Sequence, residues 1–260
     1  MNDSRFSPHP WPYPFWVAHR GAGRLAPENT LAAFRHGAGF GYRMFECDVK
    51  LSADGRLFLL HDTTLERTTD GRGVAGQLPW QQLQSLDAGG WHSRAYAGEP
   101  LPSLEAIARY VLRNGYCLNL EIKPTPGEET ATGEAVARCC ARLWRESRTP
   151  PAAPPLLTSF RPEALQAALD AEPQLPRGLL LDHWREGWLA EARLLRCAAV
   201  VTDYAMLDAD AIAQIHAEGM RVLSYTVNDP CEAQRLLDAG IDGLITDAVD
   251  RFSPGAAVLD

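Results

Sequence analysis

The sequence predicts a closed (β/α)8 barrel, a TIM barrel, interrupted by an ordered insertion at about residues 63–102. Three observations carry this. Short apolar runs alternate with amphipathic segments along the whole chain, which implies parallel strands joined by crossover helices, with no second core. Titratable residues close several of those runs, and barrels build their sites at the carboxyl ends of strands spread along the sequence. The length of 260 residues, 46% of them hydrophobic, is long for a typical single domain and ordinary for an α/β barrel. Residues 1–260 are therefore read as one barrel domain. An open doubly wound sheet is the alternative on pattern alone, but it would not gather His19, Glu46, His61 and Glu121 into one crevice.

In chain order, residues 15–18 form a first strand that delivers His19 and Arg20 to its end. Pro27-Glu28-Asn29-Thr30 punctuates, with Asn29 or Thr30 as helix cap, and residues 31–40 follow as an amphipathic helix. Residues 44–49 are the second strand. After a turn at Asp54-Gly55, residues 57–60 form a further strand closing on His61-Asp62. The periodicity then breaks for forty residues rich in glycine, proline and aromatics, too long for an ordinary connection. Trp80, Trp91 and Tyr96 argue for order there rather than a disordered linker. Ser103 opens a helix over 104–113, and 116–122 is a strand. Helix 130–146, a proline-rich stretch at 149–155, strand 156–160 and helix 162–171 follow, Pro162 being suited to a first turn. The rest is strand 178–181, helix 185–196, strand 198–202, helix 209–218, strand 221–227, helix 230–239 and strand 243–246.

Composition excludes several classes. The formal net charge is −8, with acids and bases dispersed, which argues against a nucleic-acid partner. No run reaches the roughly 18 apolar residues of a membrane span, and the N-terminus lacks a basic-then-apolar signal. A cytoplasmic protein without stable membrane association is expected. The six cysteines sit in apolar runs without a CxxC pair, as reduced, buried thiols would.

The candidate chemistry starts at Phe45-Glu46-Cys47-Asp48-Val49 and Leu118-Asn119-Leu120-Glu121-Ile122-Lys123. In a strand, residues i and i+2 share a face, so Glu46 projects with Asp48, and Glu121 with Lys123. Two carboxylates 4 Å apart repel by about 4 kcal/mol at an effective dielectric near 20, and Lys123 alone is a poor answer for three acids. Glu46, Asp48 and Glu121 are therefore candidate ligands of one divalent cation, and an all-oxygen set suits Mg²⁺, Ca²⁺ or Mn²⁺ over zinc. Taken alone, Glu46-x-Asp48 reads more readily as two ion-paired structural acids; Glu121 and the nearby histidines favour the metal. His19 and His61 close apolar strands and, as a pair beside a metal, suggest general acid and general base. His9, His36, His92, His183 and His216 lack that context. Arg20 and Lys123 place cationic donors at the same cluster, suited to phosphate oxygens or to charge balance. One metal, two cations and two histidines suit a phosphoryl diester; no P-loop, nucleophile elbow or dinucleotide fingerprint competes.

These residues resemble the glycerophosphodiester phosphodiesterase family in its cytosolic bacterial branch. The resemblance rests on Ala18-His19-Arg20-Gly21 with Pro27-Glu28-Asn29-Thr30, then Glu46-Cys47-Asp48-Val49 and His61-Asp62 with Leu65-Glu66-Arg67-Thr68-Thr69. Glu121-Ile122-Lys123, Thr226-Val227-Asn228 and Asp242-Gly243-Leu244-Ile245-Thr246-Asp247 complete it. The motifs come in the family's order over essentially the whole chain. The resemblance implies a barrel with a small insertion after the second barrel strand and its hairpin. It implies hydrolysis of glycerophosphodiesters, deacylated phospholipid headgroups, to sn-glycerol 3-phosphate and an alcohol. Carried over by motif, Glu46, Asp48 and Glu121 hold Mg²⁺ or Ca²⁺, His19 and His61 are the acid/base pair, and Arg20 and Lys123 hold phosphate. Position 225, often tryptophan in the family, is Tyr225 here, an aromatic wall for glycerol. Cys47 also departs from the pattern but faces away from the metal on strand geometry. The partner is a small-molecule diester, and a homodimer is compatible with this reading. Rival readings are a barrel phosphodiesterase of intact lipids and a non-catalytic headgroup-binding module.

Overall fold

The computed structural model describes residues 11–147, 151, 153–252 and 254. Eight strands run parallel around a closed ring: β1 (Trp16–Ala18), β2 (Met44–Leu51), β4 (Cys117–Ile122), β5 (Leu156–Ser159), β6 (Arg177–Leu181), β7 (Ala199–Asp203), β8 (Arg221–Tyr225) and β9 (Gly243–Thr246). The ring closes through β1, which pairs with both β9 and β2. A ninth strand, β3 (Leu57–Leu59), folds back antiparallel on the end of β2, the hairpin expected from the turn at Asp54-Gly55. The outer helices are α1 (Leu31–Gly39), α3 (Leu104–Asn114), α4 (Glu129–Arg145), α5 (Pro162–Ala171), α6 (Trp188–Leu194), α7 (Ala209–Ala217) and α8 (Pro230–Asp238). Among the described residues no helix is long and apolar enough to cross a membrane.

The ring closes because its inward positions fill it. Val17, Met44, Leu156, Leu180, Val201, Leu223 and Ile245 join Cys117 and Ala199 in one buried cluster drawn from all eight barrel strands. Beneath them, Tyr13 donates from its hydroxyl to the Pro154 carbonyl. With two-residue periodicity, the next inward positions on β2 and β4 are polar, and so lie nearer the mouth. The opposite faces pack on the helices in two larger apolar clusters.

Several helices start where their caps dictate. Ser103, Asp208 and Asp229 each accept a backbone N–H from the first turn, satisfying donors that would otherwise lack partners. Helix α4 lies close against α5, and a Cβ added to Gly133 would fall 2.2 Å from the Ala164 carbonyl oxygen. Gly133→Ala should therefore destabilise the protein by about 1–3 kcal/mol in a denaturant titration; unchanged stability would show that the two helices can part freely.

Most element ends fall within a residue of the sequence reading, but several boundaries and the burial of two cysteines differ from it. Strand β2 continues two residues further, to Leu51, because β3 pairs with its end. Strand β8 stops at Tyr225 rather than 227. Helix α6 begins at Trp188 rather than 185, since Gly187 at φ +80° breaks the path into it. Helix α4 begins one residue early, at Glu129. All six cysteines are free as expected, but Cys231 is exposed and Cys139 half-buried, because amphipathic α8 turns Cys231 outward. His9 and part of the 149–155 stretch lie outside the described residues.

The insertion is ordered around its own small core. Leu65, Ala75, Leu83, Ala88 and Leu101 pack with Phe58 and Leu60, and Trp80, at the head of the short helix α2 (Trp80–Leu83), leans on them. Trp91 and Tyr96 are not part of that core. Tyr96 packs against the main barrel cluster, whereas Trp91 stays 42% exposed.

Candidate active site

The register of β2 against β4 sets Glu46 opposite Asn119 and Asp48 opposite Glu121. The consequence is the expected one: ligand atoms of Glu46, Asp48 and Glu121 lie within 4.8 Å of one another at the barrel mouth. Glu46 accepts the Arg20 backbone N–H at 3.1 Å. Asp48 lies deepest, accepting from Asn29 Nδ2 at 2.8 Å while its own N–H donates to Asn29 Oδ1 at 3.1 Å. Lys123 Nζ stands 2.9 Å from Glu121 and 3.4 Å from Asp48, and Arg20 Nε is 3.4 Å from Asp48.

The three acids are electrostatically unequal. Burial, reinforced by Asp48 and Glu121, pushes Glu46 well above the usual carboxylate range. Burial and the Asp48 charge likewise push Glu121 up to about 7. Burial would raise Asp48 too, but Lys123 and Arg20 beside it outweigh that and hold its carboxyl low. The local cations thus settle one carboxylate and leave two in need of positive charge. Two oxygens bound to one Ca²⁺ are at most about 5 Å apart, so the observed spread fits a single hard cation on these residues.

His19 and His61 line the same cavity as Glu46 and Glu121, and each bonds a carboxylate through Nδ1. His19 Nδ1 lies 2.6 Å from Asp247 Oδ1; a carboxylate only accepts, so Nδ1 carries the proton in that contact and Nε2 faces inward, 3.8 Å from Glu46. Asp247 is steadied by Asn228, which donates to it at 3.2 Å and accepts its N–H at 2.8 Å. The loop after β1 can close over Asp247 only because residue 23 is glycine: at φ +55°, an added Cβ would sit 2.2 Å from the Asp247 Cα. His61 Nδ1 lies 2.6 Å from Asp62 Oδ1. Burial lowers the His61 pKa from its ordinary 6.5.

Behind Asp62 runs a relay of paired charges. Arg67 grips Asp62 through Nε and Nη2 and forms a two-point contact with Glu28 at 2.8 Å; Glu28 in turn accepts from Arg20 Nη1 at 2.8 Å. Arg20 and Asn29 are two of the three described non-glycine residues with positive φ, at 50° and 60°. That is the sparsely populated conformation often found where side chains are aimed at a site. Thr30, not Asn29, caps α1, which frees Asn29 for Asp48.

Seven of the eight residues singled out from sequence (His19, His61, Arg20, Lys123, Glu46, Glu121 and Tyr225) line one cavity of about 240 Å³, and the eighth, Asp48, is buried behind that lining. Tyr225 donates its hydroxyl to the Leu181 carbonyl at 2.9 Å and meets Phe160 edge-on, 6.0 Å between ring centres. Its ring, not its hydroxyl, is what the cavity sees. Sequence gives Asp62, Arg67, Asn228 and Asp247 no role beyond their motifs, and Asn29 only that of a candidate helix cap. Phe160 and Lys50 were missed. Lys50 follows the same i, i+2 rule as Asp48, which could have revealed it; it is buried and donates to the Lys123 carbonyl at 3.0 Å.

A closed barrel with acids, imidazoles and cations gathered at the carboxyl ends of its strands has the layout of a barrel enzyme. Residues 19–251 match the glycerophosphoryl diester phosphodiesterase family, and the chain belongs to that family of enzymes. It is 30% identical over 240 residues to the protein YhdW of Bacillus subtilis, covering 90% of this chain and 94% of that one. It is 29% identical to a glycerophosphodiester phosphodiesterase of Caldanaerobacter subterraneus, covering 89% and 93%. Among solved structures, a phosphodiesterase of Oleispira antarctica in complex with the product sn-glycerol-3-phosphate matches with TM-score 0.85 and 33% identity, covering 92% of this chain and 95% of that one.

Proposed function

We propose that this chain hydrolyses glycerophosphodiesters to sn-glycerol 3-phosphate and an alcohol, using His19 and His61 as the proton-transfer pair and a divalent cation held by Glu46, Asp48 and Glu121. The observation that carries this is the convergence of three carboxylates, two carboxylate-backed imidazoles and two cations on one cavity. The product named in the Oleispira structure supports the substrate class. When bound, a hard cation supplies Lewis-acid stabilisation of the charge that builds on phosphoryl oxygens; the all-oxygen set suits Mg²⁺ or Ca²⁺.

The chain's own residues do the rest. Arg20 and Lys123 flank Asp48, each 3.4 Å from it, and both line the cavity, where their cationic groups meet the phosphoryl oxygens. Tyr225 and Phe160 give the glycerol carbons an apolar wall. His61, deprotonated at neutral pH, takes the proton of the attacking hydroxyl or water; Asp62 holds its Nδ1–H and so keeps Nε2 as the acceptor. His19, braced by Asp247, delivers a proton to the departing alcohol oxygen.

Incubation with glycerophosphoethanolamine in Mg²⁺ should release sn-glycerol 3-phosphate and ethanolamine in equal amounts. Because burial lowers His61 and a base works unprotonated, kcat/KM should hold as pH falls past 6.5 and decline only below it. No release from any glycerophosphodiester would overturn the hydrolase reading, and an acid limb above pH 7 would remove His61 as the base.

A further inference from the structure

A second recess adjoins the catalytic cavity. It is an open groove of about 410 Å³ that shares His19 and Arg20 with the cavity and runs outward between the loop after β1 and the insertion. Arg24, Glu28, Arg67, Trp91 and His92 line it. A phosphodiester carries two alcohol arms. With phosphorus at Arg20 and glycerol against Tyr225, the other arm leaves past His19 into this groove. Resting on the hydrolase reading above, we propose that the groove is the leaving-alcohol subsite and that it selects neutral polyhydroxylated alcohols over ammonium alcohols.

The walls are built rather than incidental. His92 Nε2 contacts the Arg24 carbonyl at 3.1 Å, tying the insertion to the first barrel loop. The turn before Trp91 is pinned by Asp87 Oδ1, which accepts the N–H groups of Gly89 and Gly90, each at 2.8 Å. At Gly89 a Cβ would lie 2.0 Å from the Tyr96 carbonyl oxygen, so the turn packs tightly. Trp91 Nε1 donates to the Ala88 carbonyl at 2.8 Å. Its polar edge is therefore satisfied within the turn, and what it exposes is apolar ring, a flat face on which the C–H side of a cyclic polyol packs; that face also attracts a cation, so the charge of the walls makes the choice.

Charge decides between polyol and ammonium. Three arginines face the groove against two carboxylates, Glu28 and Asp247. Neither acid is free: Glu28 is held by Arg20 and Arg67, and Asp247 by His19 and Asn228. A choline or ethanolamine cation would find tryptophan but no unpaired anion. Arg24, its side chain 80% exposed and no nearer than 3.9 Å to Asp247, offers guanidinium donors to hydroxyls.

The test uses the intact protein with Mg²⁺ and four diesters of sn-glycerol 3-phosphate, with inositol, glycerol, choline and ethanolamine as alcohols. The two polyol esters should show the higher kcat/KM. Trp91→Ala should lower kcat/KM for the inositol ester about ten-fold relative to the ethanolamine ester, through KM, as expected for loss of one aromatic contact. Trp91→Phe should restore most of that ratio. A wild-type preference for choline or ethanolamine overturns the subsite, as does an equal loss on all four esters. Turnover of none of them overturns the hydrolase reading itself and takes the subsite with it.

Discussion

His61→Ala and His19→Ala are each expected to slow glycerophosphodiester hydrolysis by about 10²–10⁴-fold, the range for losing a positioned proton-transfer group, with thermal stability little changed. Each imidazole is only part-buried and bonds one carboxylate at 2.6 Å, so its removal opens no large core cavity. The loss should fall mainly on kcat, because the proposed mechanism gives the phosphate to Arg20 and Lys123 rather than to either ring. The two variants should also respond differently to the leaving group. A nitrophenolate needs little protonation, so an activated nitrophenyl ester should rescue His19→Ala far more than His61→Ala. Near-normal turnover in both variants would end the acid/base assignment, and equal rescue would remove the division of roles between them.

Chelation with EDTA should abolish turnover, and re-addition of Mg²⁺ or Ca²⁺ should restore it. Glu46→Gln should not be restored, with activity down by about 10³-fold, the equivalent of the several kcal/mol a Lewis acid supplies. The same substitution carries an opposite effect on stability. Burial among like charges raises the Glu46 pKa above its unfolded value. The folded state therefore binds that proton more tightly than the unfolded state, and stability falls as pH rises above the unfolded pKa near 4.5. At neutral pH in EDTA, Glu46→Gln should thus melt at a higher temperature than the wild type. With Mg²⁺ present, the wild type should recover more stability than the variant. Full wild-type activity in EDTA would remove the cation from the account, and an unchanged melting temperature would remove the strain argument.

Much of the site was legible because strand geometry is local. Glu46 and Asp48, and Glu121 and Lys123, sit two residues apart on strands, so each pair had to share a face, and a closed barrel had to bring the pairs together. The partners of the histidines were not legible in that way. Asp247 reaches His19 across 228 residues, and no spacing rule connects them. Asn29 and Thr30 both read as candidate caps of α1, since either side chain can accept a first-turn N–H; Thr30 takes the cap and Asn29 serves Asp48. Trp91 and Tyr96 read alike as aromatics of the insertion. Folding packs Tyr96, half-buried, against the barrel and leaves Trp91 open over the groove. Cys231 read as buried because it follows an apolar rhythm, but its place on α8 turns it to solvent.

By itself, the order of residues determined the alternation of strands and helices, the closed ring, and the set of side chains that end each strand at its mouth. These follow from backbone periodicity and the need to bury one face of every element, which act over a few neighbours. Only the tertiary structure decided that Lys123 and Arg20 settle Asp48 while Glu46 and Glu121 stay strained, which acids brace the imidazoles, and where a second recess opens. Those outcomes depend on distances of a few ångströms between residues far apart in the chain, and electrostatic energy in a buried, low-dielectric mouth changes steeply over such distances.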